Sequence, residues 1–272
     1  MNTRTVAKAL RRFTSYFGEP MKFQFTDIDY CYPGTKANAL AQINLSFDSA
    51  EITGLVGANG SGKSTLIKII LRQLIGYRGS YTIDKSSVDD YTGSVLGTYG
   101  IGYAPEDVVL DEYLTGYEML CLVKDIRNIS DSEFTADLAN LSIHLRVEDW
   151  LQKKTCREYS QGMRRKLSIM IAMIGPVRYI ILDEPNNGLD PLSIYGLKQA
   201  IAKRKNDGVG VLISTHVLDI IDKISDDVVM LRKGSVIYSG AVTDLRNSWP
   251  NKNSLEEIYC EMYSNEDVTE TK

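Results

Sequence analysis

The sequence predicts an α/β fold in which a helix-flanked sheet carries two additions, an N-terminal antiparallel β subdomain and a helical insertion. Short apolar runs at 52–56 and 177–182 have the length and composition of buried strands. Alternating apolar residues over 22–47 indicate the antiparallel subdomain. Helical periodicity over about 107–175 then interrupts the sheet-forming pattern, which predicts a helical insertion.

Composition narrows the class of protein. The 272 residues are 43% hydrophobic and 24% charged, as in an ordinary globular protein, and the net charge is −4. Because nucleic-acid binders usually present a strongly basic face, no nucleic-acid partner is expected. The apolar runs are far shorter than the roughly 20 residues that span a bilayer. The four cysteines are too scattered for a zinc or redox pair and indicate reduced thiols in a cytosolic protein: Cys31, Cys121, Cys156 and Cys260.

Residues 1–20 predict a short basic amphipathic helix that Gly18 and Pro20 end. One face is apolar and the others are basic, with Val6, Ala9, Leu10, Phe13 and Phe17 against Arg4, Lys8, Arg11 and Arg12. Two interpretations stay open. The helix either contacts an anionic membrane surface or a membrane partner, or it packs its apolar stripe on the body of the protein.

The alternating segment 22–47 predicts a small antiparallel sheet laid over the loop that follows it, with a turn near Pro33 and Gly34. Tyr30 and Tyr32 lie at this turn. An exposed aromatic ring there could stack on a purine, although a tyrosine in a strand more commonly serves cross-strand packing. The position alone leaves both interpretations open.

The segment 57–65 has the spacing of a phosphate-binding loop, glycine, four residues, then Gly-Lys-Ser, between the apolar run 52–56 and helically spaced apolar residues that continue to Leu74. Glycines allow such a loop to turn successive amides toward an anion. Lys63 is expected to reach the outer phosphates, and the Ser64 hydroxyl to ligate a magnesium ion. The residues expected to hold the nucleotide are Gly57, Asn59, Gly60, Ser61, Gly62, Lys63, Ser64 and Thr65.

Two further groups follow apolar runs. Asp183 and Glu184 end the run 177–182, which predicts one carboxylate for magnesium and one that orients or deprotonates an attacking water. The alternative is a pair of acids where a strand exits to solvent. His216 ends the run that begins at Val209, which predicts that it senses the γ-phosphate, whereas a structural role is the alternative. His144 is interpreted as structural.

The remaining segments complete the expected order of elements. Strands are predicted at 77–83 and 101–104, and residues 86–100 show little pattern. A capping signal at 130–133 predicts the start of a helix. A hairpin around Lys233 and Gly234 is expected to close the body, followed by a polar stretch over 243–254 and a last short helix over 255–262.

Five motifs, in this order and spacing, resemble the ATP-binding cassette of ABC transporters over residues 22 to about 240. They are the phosphate loop 57–65, Tyr159-Ser160-Gln161-Gly162-Met163, the segment 180–185, Asn187-Gly188-Leu189-Asp190 and Ser214-Thr215-His216. The phosphate loop alone would indicate only a P-loop NTPase. The five together make the resemblance specific.

The resemblance implies a P-loop NTPase core that works as a pair of copies arranged head to tail. Ser160, Gln161 and Gly162 would then face the ATP held by the other copy. Tyr32 would stack on adenine, and Asp190 would communicate between the two sites. The residues that would hold magnesium are Ser64, Glu106 and Asp183, and those implied in catalysis are Lys63, Glu184 and His216.

Three positions depart from the usual cassette. Gln161 replaces a glycine and Met163 a glutamine of the signature, and Glu106 replaces the glutamine that many cassettes carry. These substitutions resemble cassettes that serve ABC-2 type exporters. The resemblance implies that the helical insertion and the turn at Glu106 receive loops of a membrane-spanning partner.

The sequence therefore predicts an ATPase subunit, peripheral on the cytoplasmic face of a membrane, that uses ATP and Mg²⁺ and dimerises, most simply as a homodimer. It would drive a permease on a separate chain that exports a drug, peptide, lipid or polysaccharide. The expected domains are the helix 1–20, the cassette 21–240 with its helical subdomain at about 107–175, and an extension 241–272. One alternative is a soluble ABC ATPase acting on ribosomes or DNA, and another is a regulatory module that binds ATP without turnover.

Overall fold

The computed structural model describes residues 21–88 and 95–269, with side chains in its last helix described to Tyr263. The predicted N-terminal helix over 1–20 lies outside the described residues. The strands are β1 (Lys22–Tyr30), β2 (Leu40–Asp48), β3 (Ile52–Val56), β4 (Arg78–Ile83), β5 (Ser86–Ser87), β6 (Ile101–Ala104), β7 (Tyr179–Asp183), β8 (Gly210–Thr215), β9 (Asp227–Arg232) and β10 (Ser235–Ala241). The helices are α1 (Lys63–Ile70), α2 (Val95–Tyr99), α3 (Gly116–Arg127), α4 (Asp131–Leu145), α5 (Trp150–Lys153), α6 (Gln161–Met173), α7 (Pro191–Asn206), α8 (Leu218–Ile224), α9 (Val242–Ser248) and α10 (Leu255–Thr269).

The N-terminal subdomain is an antiparallel sheet with the strand order β2-β1-β4-β5. Its alternating sequence places Phe23 and Phe25 of β1 inside, where the ring of Phe25 stacks on that of Tyr81 with centroids 4.5 Å apart. The β1–β2 connection turns at residues 33 and 34, as predicted, and lies against Gly62 at the start of α1. The small sheet therefore covers the loop between β3 and α1.

The central sheet has the order β10-β9-β3-β8-β7-β6, and every neighbouring pair except the hairpin β9–β10 is parallel. All residues of β3, β7 and β8 are buried, which explains why these segments are continuous apolar runs instead of alternating ones. Because the strands are parallel, their carboxyl ends meet at one edge. This is the edge where ligands bind in open α/β sheets.

The central sheet is covered on both faces. One face packs against α1 and the antiparallel sheet, and the other packs against α6, α7, α8 and the helical region before α6. The C-terminal helix α10 contributes to the core on this second face, where Leu255 and Ile258 are fully buried. Within the described ranges, no helix is both long and apolar enough to cross a bilayer.

Helix boundaries follow local capping. Ser130 and Glu133 form the capping box that the sequence predicts, and Thr115 and Glu118 form a second one at the start of α3. Close packing holds α6 on the sheet: a Cβ at Gly102 of β6 would lie 1.8 Å from the Ala172 carbonyl oxygen. Glycine at 102 therefore lets the sheet and α6 touch at the backbone.

The structure differs from the sequence-based expectations in four segments. The helix after the loop ends at Ile70 and not near Leu74, because Arg72 adopts a left-handed conformation with φ 54°. Residues 86–100, which show little pattern in the sequence, contain β5 and α2. The polar stretch 243–254 overlaps α9, and α10 continues past the predicted end at residue 262. Helix α9 is only two turns long and is held by burial of Val242 and Leu245, so its helical period is too short to recognise.

Substituting Gly102 by alanine should lower the free energy of unfolding by about 1–3 kcal/mol, because the new methyl group would force α6 away from β6. Chemical denaturation of both proteins measures this difference. Gly97→Ala is the matched control, since Gly97 is also in regular structure but has nothing within 4 Å of its Cβ position. Equal losses in both variants would contradict the packing argument.

Candidate functional site

A cleft of about 310 Å³ lies at the carboxyl edge of the central sheet. Five segments of the chain supply its walls, and every described residue that lines it was singled out from the sequence. They are Tyr32, Asn59, Gly60, Ser61, Gly62, Lys63, Ser64, Thr65, Glu106, Asp183, Glu184 and His216. The fold thus brings together residues up to 184 positions apart in sequence.

The phosphate loop leaves the end of β3 and enters α1 through three glycines that serve different purposes. Gly60 and Gly62 have φ of 78° and 111°, which disfavours residues with a side chain. Gly57 does not need such a φ. A Cβ there would lie 2.3 Å from the Ser61 hydroxyl oxygen and 2.5 Å from the Leu231 carbonyl oxygen, so its constraint is close packing.

The loop suits an anion. Helix α1 begins without a side-chain cap at Gly62, so the N–H groups of its first turn point into the cleft region without a capping partner. The buried Ser61 hydroxyl has no hydrogen-bond partner among the described residues. A phosphate group in the cleft would supply acceptors for both, and residues 57–65 therefore fit the triphosphate that the sequence predicts.

Lys63 places its ammonium group within the loop. Nζ donates to the carbonyl oxygens of Gly57 at 2.7 Å and Ala58 at 3.3 Å. Burial lowers the pKa of Lys63, while the carboxylates of Glu184 and Asp183 act in the opposite direction. The ammonium group is thus a desolvated cation held over the loop.

Asp183, the last residue of β7, lies buried opposite the loop. Burial raises its pKa, and the nearby carboxylates of Glu106 and Glu184 raise it further. No three His, Cys, Asp or Glu side chains of the described residues converge on one metal position. The magnesium ligands Ser64, Glu106 and Asp183 stay a prediction.

Glu184 is buried and adopts a left-handed backbone conformation with φ 46°. Hydrogen bonds from residues at the end of β8 hold this strained conformation in place. Glu184 Oε1 lies 2.8 Å from His216 Nδ1 and accepts the His216 N–H at 3.1 Å, and Oε2 accepts from the Thr215 hydroxyl at 3.1 Å. Strain of this kind is typical of functional sites, and Thr215 is a supporting residue that the sequence analysis did not identify.

Tyr32 is the half-buried member of the tyrosine pair at the β1–β2 turn. Tyr30 is buried, and its ring meets that of Tyr32 edge to face at 5.1 Å. The Tyr32 hydroxyl lies 3.2 Å from the Thr65 hydroxyl. Tyr32 lines the cleft, and its stacking on a base stays a prediction.

Four predicted site residues do not line the cleft of their own chain: Gly57 at the start of the loop, and Ser160, Gln161 and Gly162. Ser160 caps α6 by accepting the Met163 N–H at 3.3 Å, as expected, and both Ser160 and Gln161 are exposed. A Cβ at Gly162 would lie 2.7 Å from the Gly188 carbonyl oxygen. Within one chain, Gly162 thus permits contact with the 187–190 segment. The cap of α7 is Asp190, whose pKa is lowered to about 2 by hydrogen bonds from Ser193.

Arg165 is a second supporting residue beside the cleft that sequence reasoning missed. It is buried in α6, and its guanidinium group donates to the carbonyl oxygens of Pro105 at 2.6 Å, Glu106 at 2.5 Å and Asp183 at 3.4 Å. It therefore connects the helix that Ser160 caps to two carboxylate-bearing segments of the cleft. The available signal was an arginine on the same helical face as Ile169 and Ala172.

Comparisons with known proteins agree with this geometry. The family described as "ABC transporter" matches residues 40–187. The transporter ATP-binding protein EcsA of Bacillus subtilis is 32% identical over 84% of this chain and 92% of its own length, and the lantibiotic transport ATP-binding protein SrtF of Streptococcus pyogenes is 27% identical over 82% and 90%. The solved structure of an ATP-binding subunit of an ABC transporter has a TM-score of 0.79 and 32% identity, covering 89% of this chain and 99% of that one.

Asp183→Asn should stabilise the protein at pH 7 by roughly 0.5–2 kcal/mol, because it removes a carboxylate whose charged form burial disfavours. A raised pKa means that the folded state holds the proton more tightly, so ionisation destabilises the fold. The advantage of asparagine should be absent well below pH 4, where aspartate is protonated in both states, and should grow as the pH rises to the raised pKa. Denaturant titrations across this range measure it.

Asp125→Asn is the control for this series, since Asp125 is exposed on α3 and the substitution should change stability by no more than about 0.5 kcal/mol. A variant at Asp183 that is less stable than the wild type at pH 7, or a difference that does not depend on pH, would show that desolvation does not dominate at this carboxylate.

Proposed function

This chain belongs to the ABC transporter family. On this basis we propose that it binds ATP with Mg²⁺ at a site between two copies of the cassette and hydrolyses the bond to the γ-phosphate. The observation that carries the proposal is the convergence of the phosphate loop with Asp183, Glu184 and His216 on one cleft. A glycine-rich loop could serve many nucleotides. The buried carboxylates opposite it supply the groups that hydrolysis needs.

Each group has a defined task in this proposal. The loop amides and Lys63 bind the phosphates, while Ser64, Asp183 and Glu106 hold Mg²⁺. When bound, the ion supplies positive charge that neutralises the phosphate oxygens. The raised pKa of Asp183 reflects its burial and the neighbouring carboxylates, whose negative charge such an ion would offset.

Glu184 is placed to act on the attacking water. Its Oε1 atom is engaged by two groups of His216, whereas Oε2 accepts only the Thr215 hydroxyl among the hydrogen bonds described above. Oε2 therefore keeps a lone pair for the water proton as the oxygen attacks phosphorus and ADP departs. His216, with a side chain 55% exposed, keeps the carboxylate oriented and can reach a γ-phosphate at the cleft mouth.

The second copy completes the site in this proposal. Ser160, Gln161 and Gly162 carry the amino end of α6 but do not line the cleft of their own chain. An exposed, Ser-capped helix start is suited to face an anion held by a neighbour. A head-to-tail homodimer would bring each such end to the nucleotide of the other copy.

We further propose that the partner is a permease on a separate chain and that the pair is an exporter. Support comes from Glu106, Gln161 and Met163, which depart from the common cassette in the manner of ABC-2 type exporters, and from a relative described as a lantibiotic transport ATP-binding protein. The protein would then lie at the cytoplasmic face of the membrane. The cargo would be a drug, peptide, lipid or polysaccharide.

Copurification separates this proposal from a soluble ABC ATPase. A tagged chain should bring down a membrane protein with several spans from detergent extracts. Recovery of ribosomal material or DNA in its place would support the alternative.

Glu184→Gln should reduce ATP hydrolysis by about 10²- to 10⁴-fold, because glutamine keeps the shape of the side chain but cannot accept the water proton. ATP binding should persist, and the ATP-bound variant should accumulate as a dimer. Phosphate release and light scattering after gel filtration measure the two effects.

Glu133→Gln is the matched control and should leave turnover unchanged. Glu133 belongs to the capping box at the start of α4, far from the loop in sequence. Wild-type turnover in the Glu184 variant would exclude Glu184 as the base. A wild type that binds ATP but does not hydrolyse it, even with its membrane partner, would instead indicate an ATP-binding regulatory module.

A further inference from the structure

The C-terminal helix touches the phosphate loop at one defined point. The Tyr259 hydroxyl of α10 accepts a hydrogen bond from the Ala58 backbone N–H at 3.1 Å, although the two residues are 201 positions apart. Ala58 is the second residue of the loop and does not line the cleft. The contact therefore acts on the loop and not on a bound nucleotide.

The backbone of Ala58 holds the first turn of the loop. Its carbonyl oxygen accepts the Ser61 N–H at 3.1 Å and Lys63 Nζ at 3.3 Å. Both of those groups belong to the part of the loop that faces the phosphates. A shift of the Ala58 peptide would therefore move an amide and the ammonium group that the triphosphate needs.

Tyr259 is held from two sides. Its helix is anchored by the fully buried Leu255 and Ile258, and α10 packs against α8. Its ring lies 5.4 Å from that of Tyr263, over which the Arg232 guanidinium group sits at 4.4 Å. Burial also raises the pKa of Tyr259, while the hydrogen bond from Ala58 lowers it.

Arg232 connects this cluster back to the loop. It ends β9, the strand that pairs with β3, and β3 leads into the loop. The carbonyl oxygen of Leu231 also packs against Gly57. The start of the loop is therefore enclosed by β9 on one side and by the C-terminal helix on the other.

We propose that Tyr259 is a positioning residue of the nucleotide site, through which the C-terminal helix holds the phosphate loop in the shape that binds ATP. This inference rests on the proposed ATP-binding function and extends it to residues beyond the cassette predicted at 21–240. Coupling of this kind is reciprocal, so nucleotide in the cleft also strengthens the attachment of α10.

Tyr259→Phe removes only the hydroxyl. It should weaken the binding of the fluorescent analogue mant-ATP with Mg²⁺ by about two- to tenfold, as expected for one hydrogen bond, while the turnover rate at saturating ATP stays the same. Tyr238→Phe is the matched control, because the Tyr238 hydroxyl also bonds the backbone, here by donating to the Ala241 carbonyl oxygen at 2.9 Å, which is not part of the loop. Its mant-ATP affinity should equal that of the wild type.

Equal affinity of wild type and Tyr259→Phe would overturn the positioning role alone, even if the variant were less heat-stable. A wild type that does not bind mant-ATP would overturn the proposed function together with this inference, so the two failures are distinguishable. Amide hydrogen exchange of the wild type provides a second test without substitution. ATP should slow exchange over residues 255–263, and unchanged exchange there while exchange over 57–65 slows would contradict the coupling.

Discussion

Parallel pairing of the three buried strands β3, β7 and β8 places the groups of the cleft at a common edge. Val56 pairs with Thr215, and Asp183 pairs with Ser214, so the loop, the carboxylates and the histidine all start from adjacent strand ends. The strands are buried throughout, and a one-residue slip would carry every one of these groups to a different position. The geometry of the site is thus set by core packing before any nucleotide arrives.

Charged groups are buried at this edge of the central sheet, which costs electrostatic free energy that the rest of the fold compensates. Lys63, Asp183 and Glu184 are all buried, and burial disfavours the charged forms of Lys63 and Asp183. Glu184 also adopts a strained backbone conformation that Thr215 and His216 hold in place. A ligand that binds only the folded protein at this edge would stabilise it by mass action.

Much of this arrangement could be predicted because its signals are local. The strands at 52–56 and 101–104 were predicted with their observed bounds, since their apolar runs lie between clear turn residues. The phosphate loop, the Ser130 cap and the hairpin after β9 depend on neighbouring residues in the same way. Short helices such as α9 carry too few turns to show a period.

Contacts between distant residues could not be read from the sequence. Arg165 reaches carbonyl groups 60 and 59 positions away, and Tyr259 reaches the loop across 201. Neither pattern differs locally from an ordinary helix. The separate reasons for Gly57 and Gly60 also emerge only in three dimensions, because one depends on the Leu231 carbonyl oxygen and the other on φ.

Each ATP site is proposed to be shared between two copies. Complementation between two inactive variants tests this sharing most directly. Lys63→Ala disables the loop of its own chain, and Ser160→Arg blocks the surface offered to a neighbour. Mixed in equal amounts, the two should recover up to about a quarter of wild-type ATP hydrolysis, because half of the pairs are mixed and each mixed pair holds one complete site of two. A mixture as inactive as its components, although gel filtration shows mixed dimers, would contradict the shared site.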